Sequence, residues 1–145
     1  MVIILVVTFC GHKDCLGDKA LSANLRAAIL ALINEGADYF LLGGYGQFDS
    51  LAARTVRELK TQYPNIHSTL VLPYLNREYN SDLYDDTTYP PLEEVPARFA
   101  ISRRNEWMVD NADVVVAYVT HDWGGAATSL QYAKRKKKRI ISVAE

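Results

Sequence analysis

The chain has two cysteines, five prolines and almost no net charge, with sixteen Lys and Arg against seventeen Asp and Glu. Each scarcity excludes something. Cys10 and Cys15 are too few and too close for the disulfide framework of a small secreted domain, and their spacing fits no zinc site, so no metal is expected. A formal charge of −1 gives no general pull toward nucleic acid, and a nucleic-acid partner is not expected. Long hydrophobic runs are lacking too. Val2 to Cys10 is apolar but too short to span a bilayer, and it carries neither a basic leader nor a small-residue cleavage site. The reading is a soluble cytoplasmic protein with no membrane partner. Its 145 residues suit one domain, 1–145, with one sizeable core.

Strand and helix patterns alternate along the chain. Val2 to Phe9 is rich in β-branched residues without polar alternation, as expected of a strand buried on both faces. From about Asp18 to Glu35, Leu21, Leu25, Ala28 and Leu32 form one helical stripe, and Gly36 supplies the stop. Tyr39 to Leu42 predicts a second strand. A helix from Asp49 to about Tyr63 follows, with Ala52, Val56 and Leu59 inward and Pro64 just beyond. His67 to Leu72, Asp113 to Val119 and Arg139 to Val143 read as further strands, and Ala97 to Ala112 and Gly125 to Lys137 as further helices. The pattern predicts an α/β fold, a parallel sheet of about five strands with helices on both faces and right-handed crossovers. Pro73 to Pro96 breaks it. That segment holds four of the five prolines and a tyrosine at every fifth residue, Tyr74, Tyr79, Tyr84 and Tyr89. It reads as an ordered loop serving as a lid or an interface.

Two glycine-rich breaks lie between a strand and a helix. The first is Gly43-Gly44-Tyr45-Gly46, leading to Asp49; the second is Trp123-Gly124-Gly125, leading to Thr128. Such elbows bring backbone N–H groups close to a ligand at a helix N terminus, a natural anion site. With Gly11, His12 and Lys13 they fall at strand carboxyl ends, so they converge on one crevice. Either elbow alone also serves as an ordinary turn, and Asp49 also suits an N-cap. Arg104 and Asn105 interrupt the apolar stripe of Ile101, Met108 and Ala112. A guanidinium there either passes the core to reach water or meets a phosphate in the crevice. The basic run Lys134 to Arg139 sits at a helix carboxyl end and reads as a solvated helix terminus.

Taken together, Thr8-Phe9-Cys10-Gly11-His12, Gly43-Gly44-Tyr45-Gly46-Gln47-Phe48-Asp49, Arg104-Asn105 with Met108-Val109-Asp110, Asp113, and Gly124-Gly125-Ala126 resemble in order the SLOG superfamily. Within it, the chain is similar to the DUF1273 branch of YpsA-type proteins. The resemblance implies a Rossmann-like domain that binds a nucleotide or a nucleotide-derived ligand, and it allows a homodimer. DprA and the LOG phosphoribohydrolases are also SLOG proteins. In the LOG motif P-G-G-x-G-T-x-x-E the glutamate takes part in cleaving an N-glycosidic bond. The matching stretch here, Trp123 to Gln131, keeps the glycine pair and Thr128 but ends in an amide. An amide cannot act as a carboxylate base, so LOG-type chemistry is not implied.

The resulting expectation is a binding module for a nucleotide-like or ADP-ribose-like ligand, with no cofactor firmly implied. Gly43, Gly44, Gly46, Gly124, Gly125 and Thr128 would cradle phosphate, and Arg104 would neutralise it. Asn105 or Asp49 would contact sugar, Gly11 and His12 would line the floor, and Tyr45 or Trp123 would stack on a base. On that reading Arg104→Ala lowers ligand affinity with little loss of fold. The alternatives are an N-glycoside hydrolase using Asp49 or Glu106, and an interaction module recruiting partners through the tyrosine-rich segment.

Overall fold

The computed structural model describes residues 5–15, 17–75 and 78–144. The first strand, β1, runs Leu5–Gly11; Val2 to Ile4 of the expected strand lie outside the described residues. After it come α1 (Leu21–Asn34), β2 (Ala37–Leu42), α2 (Gly46–Leu59), β3 (His67–Val71) and β4 (Asp86–Thr88). The chain then forms α3 (Ala100–Asp110), β5 (Val114–Tyr118), α4 (Gly125–Arg135) and β6 (Arg139–Ser142). All strands are parallel, in the order β4-β3-β2-β1-β5-β6. This is a single Rossmann-like α/β domain with six strands rather than about five.

The side chains of each strand alternate between the two faces, and this divides the core. Val7, Phe9, Phe40, Leu42, Leu70, Val114 and Val116 meet Leu21, Leu25, Ile29 and Leu32 of α1 and Ala52, Val56 and Leu59 of α2. On the opposite face, Cys10, Val115 and Ala117 pack with Val109 of α3 and Ala133 of α4, while Leu41 and Val71 pack with Met108. The α1 stripe uses Ile29 rather than Ala28, which is only partly buried. The chain leaves β1 for β2 on one side and later returns to β1's other side with β5. That reversal of strand order opens a crevice at the carboxyl ends of β1 and β5.

The sixth strand comes from the segment between Pro73 and Pro96. Asp86–Thr88 pairs with Thr69–Val71 of β3, and Leu72 N–H donates to Thr88 O at 2.8 Å. Asp85 clamps this edge. Its carboxylate accepts from Lys60 Nζ at 2.6 Å and from the Ser68 backbone N–H at 2.8 Å. Burial pushes the Asp85 carboxyl up, but those hydrogen bonds outweigh it and hold it below the usual range. Tyr84 and Leu92 are buried. Part of this segment is thus sheet, and none of its described residues lines the crevice.

Candidate ligand-binding site

A cavity of about 530 Å³ occupies the crevice. Its floor is the end of β1 and the loop after it, Thr8 to Asp14. One wall is α3, through Ile101, Arg104, Asn105, Met108 and Val109. The other is the approach to α4, through His121, Trp123, Gly124, Gly125, Ala126 and Ser129, and Tyr45 and Asp49 close the remaining side. Gly11, His12, Tyr45, Asp49, Arg104, Asn105, Trp123, Gly124 and Gly125 were all expected here from sequence. Gly43, Gly44, Gly46 and Thr128 were also expected, and they do not line the cavity.

The reason lies in how the first elbow is built. Helix α2 begins at Gly46, three residues earlier than the sequence suggested, with Tyr45 in the N-cap position. Asp49 is therefore inside the first turn, and its carboxylate reaches back to the Tyr45 N–H at 3.1 Å. Gln47 N–H donates to Lys13 O at 2.9 Å, and Gln47 Oε1 accepts from Cys15 N–H at 2.7 Å. Gly46 has φ +90°, and a Cβ on it would stand 2.6 Å from Lys13 Cα. The elbow is stitched to the β1 loop, so the Tyr45 and Gln47 amides serve the fold rather than a ligand. Thr128, for its part, donates its hydroxyl to Gly124 O at 3.0 Å and stays on α4's exposed side.

Arg104 also departs from expectation. It is 1% exposed, and its Nη1 donates to Gly43 O and to Val71 O, both at 2.8 Å. Its Nε donates to Asn105 Oδ1 at 2.9 Å. A Cβ on Gly43 would lie 3.1 Å from Asp49 Oδ2 and 3.2 Å from Arg104 Cζ, so carboxylate and guanidinium are close neighbours. Bonding the carbonyls of Gly43, just after β2, and Val71, the last residue of β3, makes this arginine a strut within the cavity wall, and truncating it to alanine is expected to cost stability. Asn105 keeps its amide nitrogen without a partner among the described residues.

The second elbow is open. Gly124 has φ +92°, no side chain caps α4, and nothing lies within 4 Å of a Cβ at Gly124 or Gly125. The first helical bond is Thr128 N–H to Gly124 O at 3.0 Å, so the amides of Gly125, Ala126 and Ala127 precede it. Lys13 faces the same cavity and makes no ion pair among the described residues. Lys13 was placed at this crevice by its position after the first strand, whereas sequence reasoning missed Ser129 as a site residue. Ser129 lies one helical turn beyond Gly125, the signal that would have found it.

Beside this helix end stands a column of rings. His12 stacks on His121 at 3.7 Å between centroids, and His121 stacks on Trp123 at 3.8 Å. The column runs from buried His12 to Trp123, which is 68% exposed. His12 Nε2 accepts from the Thr120 N–H at 2.8 Å, so the neutral ring carries its proton on Nδ1. Burial first, and then His121, pull the His12 pKa down. His121 Nδ1 is buried without a hydrogen bond among the described residues. Burial, with Asp49 adding to it, pushes the Cys10 thiol up to about 12, which rules it out as a ready nucleophile. Gln131 is exposed and outside the cavity lining.

Known proteins resemble this chain in sequence and in fold. A UPF0398 protein of Halalkalibacterium halodurans is 29% identical over 127 residues, covering 77% of this chain and 66% of that protein. The chain thus spans just under two thirds of that relative's length. DNA processing protein A from Helicobacter pylori superposes with a TM-score of 0.68 at 17% identity, over 95% of this chain and 64% of that one. The molybdenum cofactor carrier protein of Chlamydomonas reinhardtii gives 0.65 at 16% identity, over 99% and 78%. At such identities the likeness concerns the fold. The Helicobacter protein was solved for its single-stranded DNA binding mode, so the expectation that nucleic acid is not a partner is corrected. A net charge of −1 averages over the surface and excludes no local contact. No helix among the described residues is long and apolar enough to cross a membrane. The family model described as the YspA SLOG family matches residues 13–142, and the chain belongs to that YpsA-type SLOG family.

Proposed function

We propose that the cavity binds a nucleotide-derived ligand and holds it intact, as a sensor or carrier. One observation supports this above the others. An uncapped helix N terminus, a lysine without an ion pair among the described residues and a column of stacked rings line the same cavity. Phosphate suits the amides of Gly125 and Ala126 together with Lys13, where the helix dipole and the ammonium both favour negative charge. A planar base suits Trp123 and Tyr45, the two exposed aromatic residues at the rim. The Asn105 amide is placed for a sugar hydroxyl. At about 530 Å³ the cavity is of the size that such ligands fill.

The reading favours binding over hydrolysis. Asp49, which lines the cavity together with Asp14, is engaged with the Tyr45 N–H, and the position of the LOG glutamate holds an exposed amide. Thermal melts against nucleotides, NAD, ADP-ribose and molybdenum cofactor test it. A ligand at a hundred times its Kd stabilises by about 2.7 kcal/mol, a shift of several degrees. Trp123→Ala and Lys13→Gln should each lower that shift at fixed ligand concentration without changing the melt of the free protein by much. Recovery of the ligand intact supports a carrier or sensor, and recovery of free base would overturn that part. No shift with any of them would overturn the site.

A further inference from the structure

Six of the sixteen Lys and Arg residues stand consecutively at Lys134 to Arg139, leaving ten against seventeen acidic residues in the rest of the chain. The run covers the end of α4, the turn after it and the first residue of β6. In a parallel sheet this is the edge where strands begin, opposite the cavity. Three carboxylates lie on the β1, β5 and β6 side of that pole, while Asp38, Asp85 and Asp86 stand at the starts of β2 and β4 on its far side. Arg139 pairs with Glu35 at 2.7 Å, Lys136 lies 3.9 Å from Asp110, and Asp113 accepts from the Val6 N–H at 2.9 Å. Arg135 and Lys136 also lie over the Tyr132 ring. Offsetting the carboxyl ends of α1, α3 and α4 accounts for part of the run. Six cations against three carboxylates still leave this side of the pole positive.

Lys134 and Lys137 are the residues of the run that no side-chain partner explains. Neither side chain has a hydrogen bond or ion pair among the described residues. Lys137 has φ +58°, the only positive φ of a non-glycine residue among them. Lys138 N–H donates to Ala133 O at 3.1 Å, and Lys137 N–H to Lys134 O at 3.0 Å. These two bonds define the helix-ending turn whose left-handed residue is ordinarily glycine. A lysine there is strained and gains no intramolecular partner in return. Strain without a structural return directs attention to the charge itself.

We propose that this pole binds the phosphate backbone of nucleic acid without sequence preference. Flexible lysines that act as point charges suit a repeating row of phosphates. An anionic membrane would call for an apolar anchor beside the charges. The exposed large apolar residues Tyr45, Leu75, Tyr79, Phe99 and Trp123 all lie outside this run.

Anisotropy titrations of labelled duplex and single-stranded oligonucleotides over a range of salt test the proposal. The duplex should bind at low salt with a log–log slope of about −2 to −3, as expected for roughly three phosphate contacts. The double variant Lys134→Gln, Lys137→Gly should reduce that slope by about 2 and weaken binding at least several-fold. Lys137→Gly alone should weaken binding while raising the melting temperature, because glycine relaxes the turn. A purely structural lysine would change the melt and leave the titration alone. No binding at low salt, binding indifferent to these substitutions, or tighter capture by vesicles of anionic lipid would each overturn the proposal.

Discussion

The two glycine elbows are alike in sequence and opposite in use. At Gly43 to Gly46 the backbone is consumed by the fold: Gly43 O receives Arg104, Tyr45 N–H meets Asp49, and Gln47 N–H meets Lys13 O. At Gly124 and Gly125 no side chain caps the helix, and a Cβ would meet nothing within 4 Å. Glycine is needed at Gly46 because another backbone passes at the distance a Cβ would occupy. At Gly124 it is needed for φ +92°, which turns the chain and bares the helix end. A glycine cluster after a strand thus marks close approach, and only the neighbouring residues decide whether protein or ligand does the approaching.

The comparison breaks most clearly at Arg104. Arg104→Met keeps the bulk but leaves Gly43 O and Val71 O buried without that donor. Each buried carbonyl that loses its partner costs about 1–3 kcal/mol, so about 2–6 kcal/mol should vanish from the urea midpoint stability. A variant with unchanged stability and weaker ligand binding would restore the arginine to the role of ligand contact. A smaller loss should follow Gly46→Ala. The left-handed backbone costs about 1–2 kcal/mol for an alanine, and crowding against Lys13 adds about 1–3 kcal/mol. Gly125→Ala should do the reverse. Its Cβ meets no protein atom, so the melt should hold or rise slightly while ligand binding weakens. If both alanines acted alike on stability and on binding, the distinction between a joint and a mouth would fail.

What sequence could and could not reveal follows the same line. Strand and helix alternation was legible because both faces of the sheet are buried, so apolar runs such as Val114 to Tyr118 announce themselves. Strand β4 was not. Asp86–Thr88 is three polar residues whose strand character comes only from pairing with β3 and from the Asp85 clamp. The cavity residues at strand ends were legible from position. Arg104 looked like a phosphate ligand because an arginine in an apolar stripe must find polar partners, and sequence does not say which. Two of its partners are backbone carbonyls 61 and 33 residues away, which carry no side-chain signature at all. The openness of the second elbow was equally hidden, being a matter of what is not packed there.

His12 connects the two elbows, and its effect should be the smallest. It closes β1 beside the first elbow and holds the approach to the second through the Thr120 N–H. That bond needs an unprotonated Nε2, and His121 at 3.7 Å opposes a second charge in the stack. With its folded pKa below the unfolded value of about 6.5, His12 takes up its proton more readily in the unfolded chain. Its contribution to stability is therefore fully present above about pH 6.5 and is lost as pH falls from there toward the folded value. Asp85 acts in a separate window. Its carboxyl is held below the usual range, so its contribution fades only as pH falls through that lower region. Melts of the native protein and of His12→Asn between about pH 5 and 7.5 should differ in slope, the native protein losing more on acidification. Equal slopes would mean that the imidazole keeps its bond on protonation, by turning or by giving up the stack, and that the column is looser than its 3.7 Å spacing indicates.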